Sequence, residues 1–298
     1  MIKLFWNTQN QKRPKTTDAK IIKKHQRDLK WGLYHKKNSN HWLYELLKKT
    51  DYNIIETESM IENDDTLIIV DSSIEGKNEF YSKLKLICSK IYLFHLGDET
   101  SSFDLSSIYN NCNYVWRTFC SKKYFENRKV QCIPIGYKSG VLNLKSKENI
   151  KKYKWAFIGT PHKSSRHDLI FQLSNIKPNF CYKTEQFDKK IMSIQEMNKI
   201  LSSTQFVPCP NGFVHPETYR VYEALECDCI PIVESTYNYY ERLFPNNPFI
   251  KIEKWVDAKS IVNEWSNKQI LTKKEECRIW WNEYKNNLQE SVKNNIKE

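Results

Sequence analysis

Arg220 and Glu223 stand three residues apart in the segment Phe206–Glu234, FVPCPNGFVHPETYRVYEALECDCIPIVE, with Glu217 three residues before the arginine. A short apolar run (Phe206, Val207), a breaker cluster (Pro208, Pro210, Asn211, Gly212) and a second apolar run from Ile230 to Val233 predict strand, loop, helix and strand. The spacing predicts a helix opening at Pro216, where proline gives up no hydrogen bond and Glu217, beside Thr218, suits the positive helix end. Val221, Ala224 and Leu225 share the face that packs on a sheet, while Glu217, Arg220 and Glu223 share another. Unpaired N–H groups, the positive dipole end and a guanidinium then meet at one point, which suits a phosphate or diphosphate. Glu223, one turn further on, can accept hydrogen bonds from ribose hydroxyls. The same spacing also fits Arg220 simply pairing with Glu217 or Glu223 on a surface helix.

A second group of donors follows Trp155-Ala-Phe-Ile-Gly159, where Thr160, Lys163, Ser164, Ser165 and Arg166 lie beside a helix start. Such a strand, glycine turn, polar loop and helix can hold an anion, although the GxxxxGK[ST] order of a P-loop is missing and GxGxxG is absent. Two anion-binding elements in one half of the chain point to a diphosphate. In the first half, Tyr92-Leu-Phe-His95-Leu-Gly97-Asp98-Glu99-Thr100 puts a histidine and two carboxylates at the end of a strand. Asp98, Glu99 or His95 could take a proton from a sugar or alcohol hydroxyl. Equally, the two acids could cap the next helix with His95 buried in the strand. Trp116-Arg117 and the turn Ile133-Pro-Ile-Gly136-Tyr137-Lys138 end neighbouring strands.

These residues need a scaffold that brings strand ends together. Apolar strands at Ile2–Trp6, Asn53–Ile55, Thr66–Val70, Lys90–Leu96, Tyr114–Trp116 and Cys132–Ile135 alternate with helical stretches such as Trp42–Leu47 and Phe80–Ile87. After the polar run Lys145–Lys154 the pattern restarts at Trp155–Ile158 and continues through Gln205–Val207, Ile230–Val233 and Phe249–Ile252. This alternation predicts α/β architecture with parallel sheets: an amino-terminal domain over 1–147, a second α/β domain over 148–272, and a C-terminal helix over 273–298 packing back on the core. Glycine is scarce, seven in all, yet Gly97, Gly136, Gly159 and Gly212 each follow a strand, the edge where open α/β sheets bind ligands. Cys277, Trp280, Trp281, Tyr284 and Leu288 share one helical face, an aromatic stripe that reads as packing.

At 298 residues with 40% hydrophobic content the chain is globular and long enough for two cores. The net charge of +12 comes from 47 basic residues of which only eight are arginine, spread along the chain rather than gathered on one face. That distribution argues against specific nucleic-acid recognition. No stretch reaches the roughly 18 apolar residues of a membrane span, and the start reads as a first strand rather than a leader. The nine cysteines are scattered without a CxxC pair, which predicts free thiols in a reducing, cytoplasm-like compartment, and Cys227-x-Cys229 without a histidine cluster makes a poor zinc site.

The arrangement F-x-P-x-P-x-G…P-E-T-Y-R-x-x-E-A-L-x-x-x-C-I-P-I-V over Phe206–Val233 resembles the nucleotide-sugar-binding segment of exostosin-like glycosyltransferases, and Phe94–Glu99 is similar to a stretch of their amino-terminal domain. The resemblance implies a GT-B fold of two Rossmann-like domains facing across a cleft. It also implies a nucleoside-diphosphate-sugar donor, UDP-sugar first among them, and inverting, metal-independent transfer to a glycan or protein-glycan hydroxyl. The family's motif arginine maps to Arg220 and its glutamate to Glu223. Gly159, Thr160, Lys163, Arg166, Asn211, Gly212, Glu217 and Thr218 complete the donor-side candidates, and Asp98, Glu99 or His95 is the base. Cys227-Asp228 replaces the family's usual glycine, and the usual membrane anchor is missing. That implies a cytoplasmic enzyme, in a host cytoplasm if virus-encoded. A nucleotide- or glycan-binding protein of the same fold that has lost its base is the alternative reading.

Overall fold

The computed structural model describes residues 1–7, 36–142, 144, 151–184 and 192–297. The chain divides into two compact units, Met1–Ile135 with Leu288–Glu298, and Gly136–Asn287. The expected boundary at 147/148 lies outside the described residues.

The first unit is a six-stranded parallel sheet in the order β2-β1-β3-β4-β5-β6. Its strands are β1 (Ile2–Trp6), β2 (Asn53–Ile55), β3 (Thr66–Asp71), β4 (Lys90–His95), β5 (Tyr114–Arg117) and β6 (Val130–Cys132). The central strands β3 and β4 are buried along almost their whole length, as parallel strands covered on both faces must be. Residues 36–46 form helix α1, followed by α2 (Asn78–Ile87), α3 (Ser106–Asn111) and α4 (Lys122–Phe125). Strand β6 ends where the sequence predicted it to start. Val130 pairs with Val115, while Ile133 leaves the ladder after donating to the Arg117 carbonyl at 2.9 Å.

The second unit is a five-stranded parallel sheet in the order β11-β10-β9-β7-β8. It comprises β7 (Tyr153–Gly159), α5 (Arg166–Leu173), β8 (Asn179–Lys183), α6 (Ile194–Ser202), β9 (Thr204–Cys209), α7 (Tyr219–Glu226), β10 (Ile230–Glu234), α8 (Tyr239–Leu243), β11 (Ile250–Ile252) and α9 (Asp257–Glu264). The last helix, α10, runs Asn267–Lys297. It starts earlier than the expected 273, and its residues from Leu288 belong to the first unit. The aromatic stripe packs as expected: Trp280 meets Phe244 and Phe249 edge-on at 5.2 and 5.1 Å, and the Trp281 indole N–H donates to Glu226 at 2.7 Å.

Two expectations are corrected. Cys120 and Cys132 form a disulfide with Cα atoms 5.8 Å apart, so the cysteines are not all thiols. Helix α7 begins at Tyr219, three residues after Pro216, because Thr218 is extended (φ −138°, ψ 150°) and stands at the N-cap. Among the described residues, no helix is long and apolar enough to cross a membrane.

Candidate functional site

Three strands of the second unit, β7, β9 and β10, deliver their carboxyl ends side by side, and the loops leaving them carry the donor-side candidates. Register pairs Val233 with Cys209 and Trp155 with Phe206, which sets Gly159, Asn211 and Glu234 along one edge. This is the edge at which parallel α/β sheets bind ligands.

Gly159 is what lets Arg220 reach that edge. A Cβ on Gly159 would lie 2.7 Å from a terminal nitrogen of Arg220. In the bare space of the glycine, Arg220 donates to the Ile158 carbonyl at 3.0 Å and its guanidinium lies 4.8 Å from the Phe157 ring centroid. Arg166, from the first turn of α5, donates to the Thr160 carbonyl at 3.1 Å and to the Asn211 carbonyl at 3.4 Å. The two arginines therefore grip carbonyls on either side of Gly159. Neither is in an ion pair among the described residues. Burial, reinforced by repulsion from the nearby Arg220 charge, holds the Arg166 pKa down to about 10, against an opposing pull from Glu234.

Asn211 is fixed by three neighbours. Its backbone N–H donates to Glu234 Oε2 at 2.8 Å, its side-chain amide donates to Thr236 Oγ1 at 2.7 Å, and its carbonyl also accepts from Ser164 Oγ at 3.0 Å. Thr160 shares a hydrogen bond with Thr184 at 2.9 Å. Lys163 lies 4.2 Å over the ring of Phe213, next to half-buried Gly212.

Around this edge, five buried polar atoms have no hydrogen-bond partner among the described residues: Arg166 Nε, Arg220 Nη1, Asn211 Oδ1, Thr218 Oγ1 and Glu223 Oε1. An unpaired buried polar group costs roughly 1–3 kcal/mol, so five in one neighbourhood, two cationic donors among them, describe a surface shaped for a polar ligand. Glu223 is 7% exposed, and among the described residues Arg220 pairs with neither it nor Glu217 but with the Ile158 carbonyl. That removes the alternative of a simple surface ion pair.

Glu217 departs from expectation. It precedes the helix rather than opening it, and its carboxylate is buried beneath Tyr222 and Tyr239, accepting from both hydroxyls, the latter at 2.7 Å. Its backbone N–H donates to His215 Nδ1 at 3.2 Å. Glu217 thus anchors the segment that presents Thr218 and Arg220.

In the first unit, Arg117 gathers two of the three candidate bases, His95 and Asp98. The fully buried guanidinium donates to His95 Nδ1 at 2.9 Å, to Tyr109 Oη at 2.8 Å and to Asp98 Oδ2 at 2.9 Å, and lies 4.2 Å from the Tyr124 ring centroid. Asp98 Oδ1 accepts from the Ser102 N–H at 3.1 Å, and its backbone is left-handed at φ 61°. Both oxygens of Asp98 are engaged and His95 is 1% exposed, whereas Glu99 is half-buried. Gly97 is required for a different reason: a Cβ there would lie 2.1 Å from the Ser72 carbonyl oxygen. Among the described residues, no three His, Cys, Asp or Glu side chains gather as a metal site.

Sequence reasoning missed Glu234 and Thr236, which position Asn211. The signal for Glu234 was its place as the last residue of a strand on the binding edge.

A family model described as "RXYLT1 C-terminal domain" matches residues 137–298. Among solved structures, the chain is similar to an alpha1,3-fucosyltransferase, with 13% identity and a TM-score of 0.49 over 91% of this chain and 80% of that one. It is similar also to Anabaena HepE in complex with UDP and glucose, with 9% identity and a TM-score of 0.48 over 100% of this chain and 98% of that one. No curated protein sequence matches significantly.

Proposed function

The chain belongs to the family of the RXYLT1 C-terminal domain, an exostosin-like glycosyltransferase family, and from that premise we propose that it moves a sugar from a nucleoside-diphosphate-sugar, UDP-sugar first, to a hydroxyl of a glycan or protein-glycan, with inversion and without a metal. The reading is carried by the cluster of buried, unpartnered polar atoms around Arg166 and Arg220. A diphosphate satisfies the two cations, and Glu223 takes the ribose hydroxyls. Asn211 and Thr218 complete the contacts, and Gly159, Gly212, Thr160 and Lys163 shape or charge the surrounding loops. Glu217 acts through Thr218 and Arg220 rather than on the donor.

During transfer, negative charge grows on the departing diphosphate. Guanidinium groups already held by backbone carbonyls meet that charge without reorganising, and such preorganised electrostatics supply most of the rate enhancement in many enzymes. For the base, Glu99 is the first choice, because taking a proton on Asp98 breaks its ion pair with Arg117 and His95 is committed to the same cluster. A thermal-shift panel of nucleotide sugars tests donor binding, since a ligand of the native state raises the melting temperature. An acceptor array then tests transfer. Absence of any shift across the panel defeats the proposal.

The engagement of Asp98 and His95 by Arg117 also fits a non-catalytic binder of the same ligands. Donor turnover with an acceptor separates the two readings: the binder shifts with nucleotide but never transfers.

A further inference from the structure

We infer that Tyr237 is a stacking platform for the nucleobase of the donor, a role that rests on the second unit binding a nucleoside diphosphate. Tyr237 follows β10 on the binding edge and is 82% exposed, an unusual state for a large aromatic ring. Its backbone is left-handed at φ 55°, ψ 20°, and Asn238 after it is left-handed too, at φ 50°, ψ 38°. Two consecutive non-glycine residues in that region cost energy and persist where the surroundings hold them.

The surroundings that hold them are those of the diphosphate site. Thr236, the residue before the tyrosine, accepts from the Asn211 side chain at 2.7 Å, and the Asn211 carbonyl accepts from Arg166 at 3.4 Å. On the other side, Tyr239 donates to Glu217 at 2.7 Å, the residue that anchors the approach to Thr218 and Arg220. Tyr237 is thus pinned at both flanks to groups that position the two cations, while its own ring is left to solvent. A nucleoside diphosphate carries its planar base a ribose away from the phosphates, and an aromatic face beside a cationic site is the surface on which such a base stacks.

Stacking contributes roughly 1–3 kcal/mol per base, about a five- to 150-fold change in affinity. Calorimetry with UDP, GDP and inorganic pyrophosphate, each against wild type and variants, tests the assignment. Tyr237→Ala is expected to weaken the nucleotide by about tenfold or more and leave pyrophosphate unchanged, with Tyr237→Phe retaining both. Tyr237→Gly relieves the left-handed backbone, so it is expected to raise the melting temperature while weakening the nucleotide as alanine does. Unchanged nucleotide affinity in Tyr237→Ala overturns the assignment. So does an equal loss for nucleotide and pyrophosphate, which would make the residue a support for the Asn211 loop. Wild-type protein that binds neither nucleotide instead overturns the donor-site reading, and the platform with it.

Discussion

Replacing Arg220 with alanine tests the proposed contact with the diphosphate. One terminal nitrogen is spent on the Ile158 carbonyl at 3.0 Å, and the other is buried with no partner among the described residues. A unit charge about 4 Å from a phosphate oxygen is worth about 4 kcal/mol at an effective dielectric of about 20. Part of that is recovered in the variant, because Arg166 loses a repelling neighbour and meets the diphosphate unopposed. The net loss is then about 3 kcal/mol, or a drop of about a hundredfold in kcat/KM. Stability moves much less. The variant forfeits a neutral-acceptor hydrogen bond and a cation–π contact, about 1 kcal/mol each, and gains relief of guanidinium repulsion, so the melting temperature shifts by no more than about 4 °C. Arg220→Lys keeps the charge but cannot hold the carbonyl and reach the ligand with a planar fork, and is expected to fall between the two. Steady-state transfer kinetics beside a thermal melt give both numbers. A folded Arg220→Ala enzyme within about threefold of wild type would falsify the role of this arginine.

Gly159→Ala places a methyl group 2.7 Å from the Arg220 guanidinium and should displace it, lowering UDP affinity by roughly tenfold in calorimetry; unchanged affinity would mean that Arg220 does not need that path. Glu223→Gln exchanges a buried carboxylate with an unpartnered oxygen for a neutral amide. The free protein should become more stable in urea by about 1 kcal/mol while donor KM rises about tenfold, and a loss of stability would assign Glu223 a structural partner. Asp98→Asn weakens the ion pair with fully buried Arg117 and should cost about 2–3 kcal/mol of stability, whereas Glu99→Gln should abolish transfer in a protein that still folds. The reverse pattern moves the base to Asp98. Reduction of the Cys120–Cys132 bond, which spans a sequence separation of 12, should lower stability by about 3 kcal/mol, read as a shifted urea midpoint; an unmoved midpoint would show that the closed loop contributes nothing.

The parts legible in the sequence are those whose causes are local. Strand β3, Thr-Leu-Ile-Ile-Val-Asp, is buried along its length because both faces are covered, so its apolar run announces it. Strand β8, Asn-Phe-Cys-Tyr-Lys, lies at the sheet edge and is half-exposed, and its mixed composition hides it. Val221, Ala224 and Leu225 do pack inward, all 5% exposed or less. Their helix starts later than the proline suggests, because Pro216 is equally at home in the extended approach to the Thr218 cap. Arg166 and Arg220 stand out in the sequence as candidate anion ligands because each lies at a helix start that follows a strand end. The burial of Glu217 was not readable, because the two tyrosines that bury it come from the helix that follows it and from 22 residues downstream. The disulfide was hidden for the same reason: Cys120 and Cys132 meet only because β6 pairs with β5.

This contrast between local and distant causes explains why the donor side and the proposed base differ in legibility. The proposed donor ligands need only a strand edge, a helix start and a glycine small enough to admit a guanidinium, all encoded within short segments. Which of His95, Asp98 and Glu99 can accept a proton depends instead on Arg117, which lies on the next strand and shares its hydrogen bonds between two of the three. Burying that arginine at 0% exposure requires a carboxylate to balance it, since an uncompensated buried charge costs several kcal/mol. Asp98 meets that need, so protonating it would leave the Arg117 charge uncompensated. The combined variant Arg117→Met with Asp98→Asn removes the buried charge and its counterion together; it should retain both fold and transfer if Asp98 only balances Arg117, and should fold but lose transfer if Asp98 is the base.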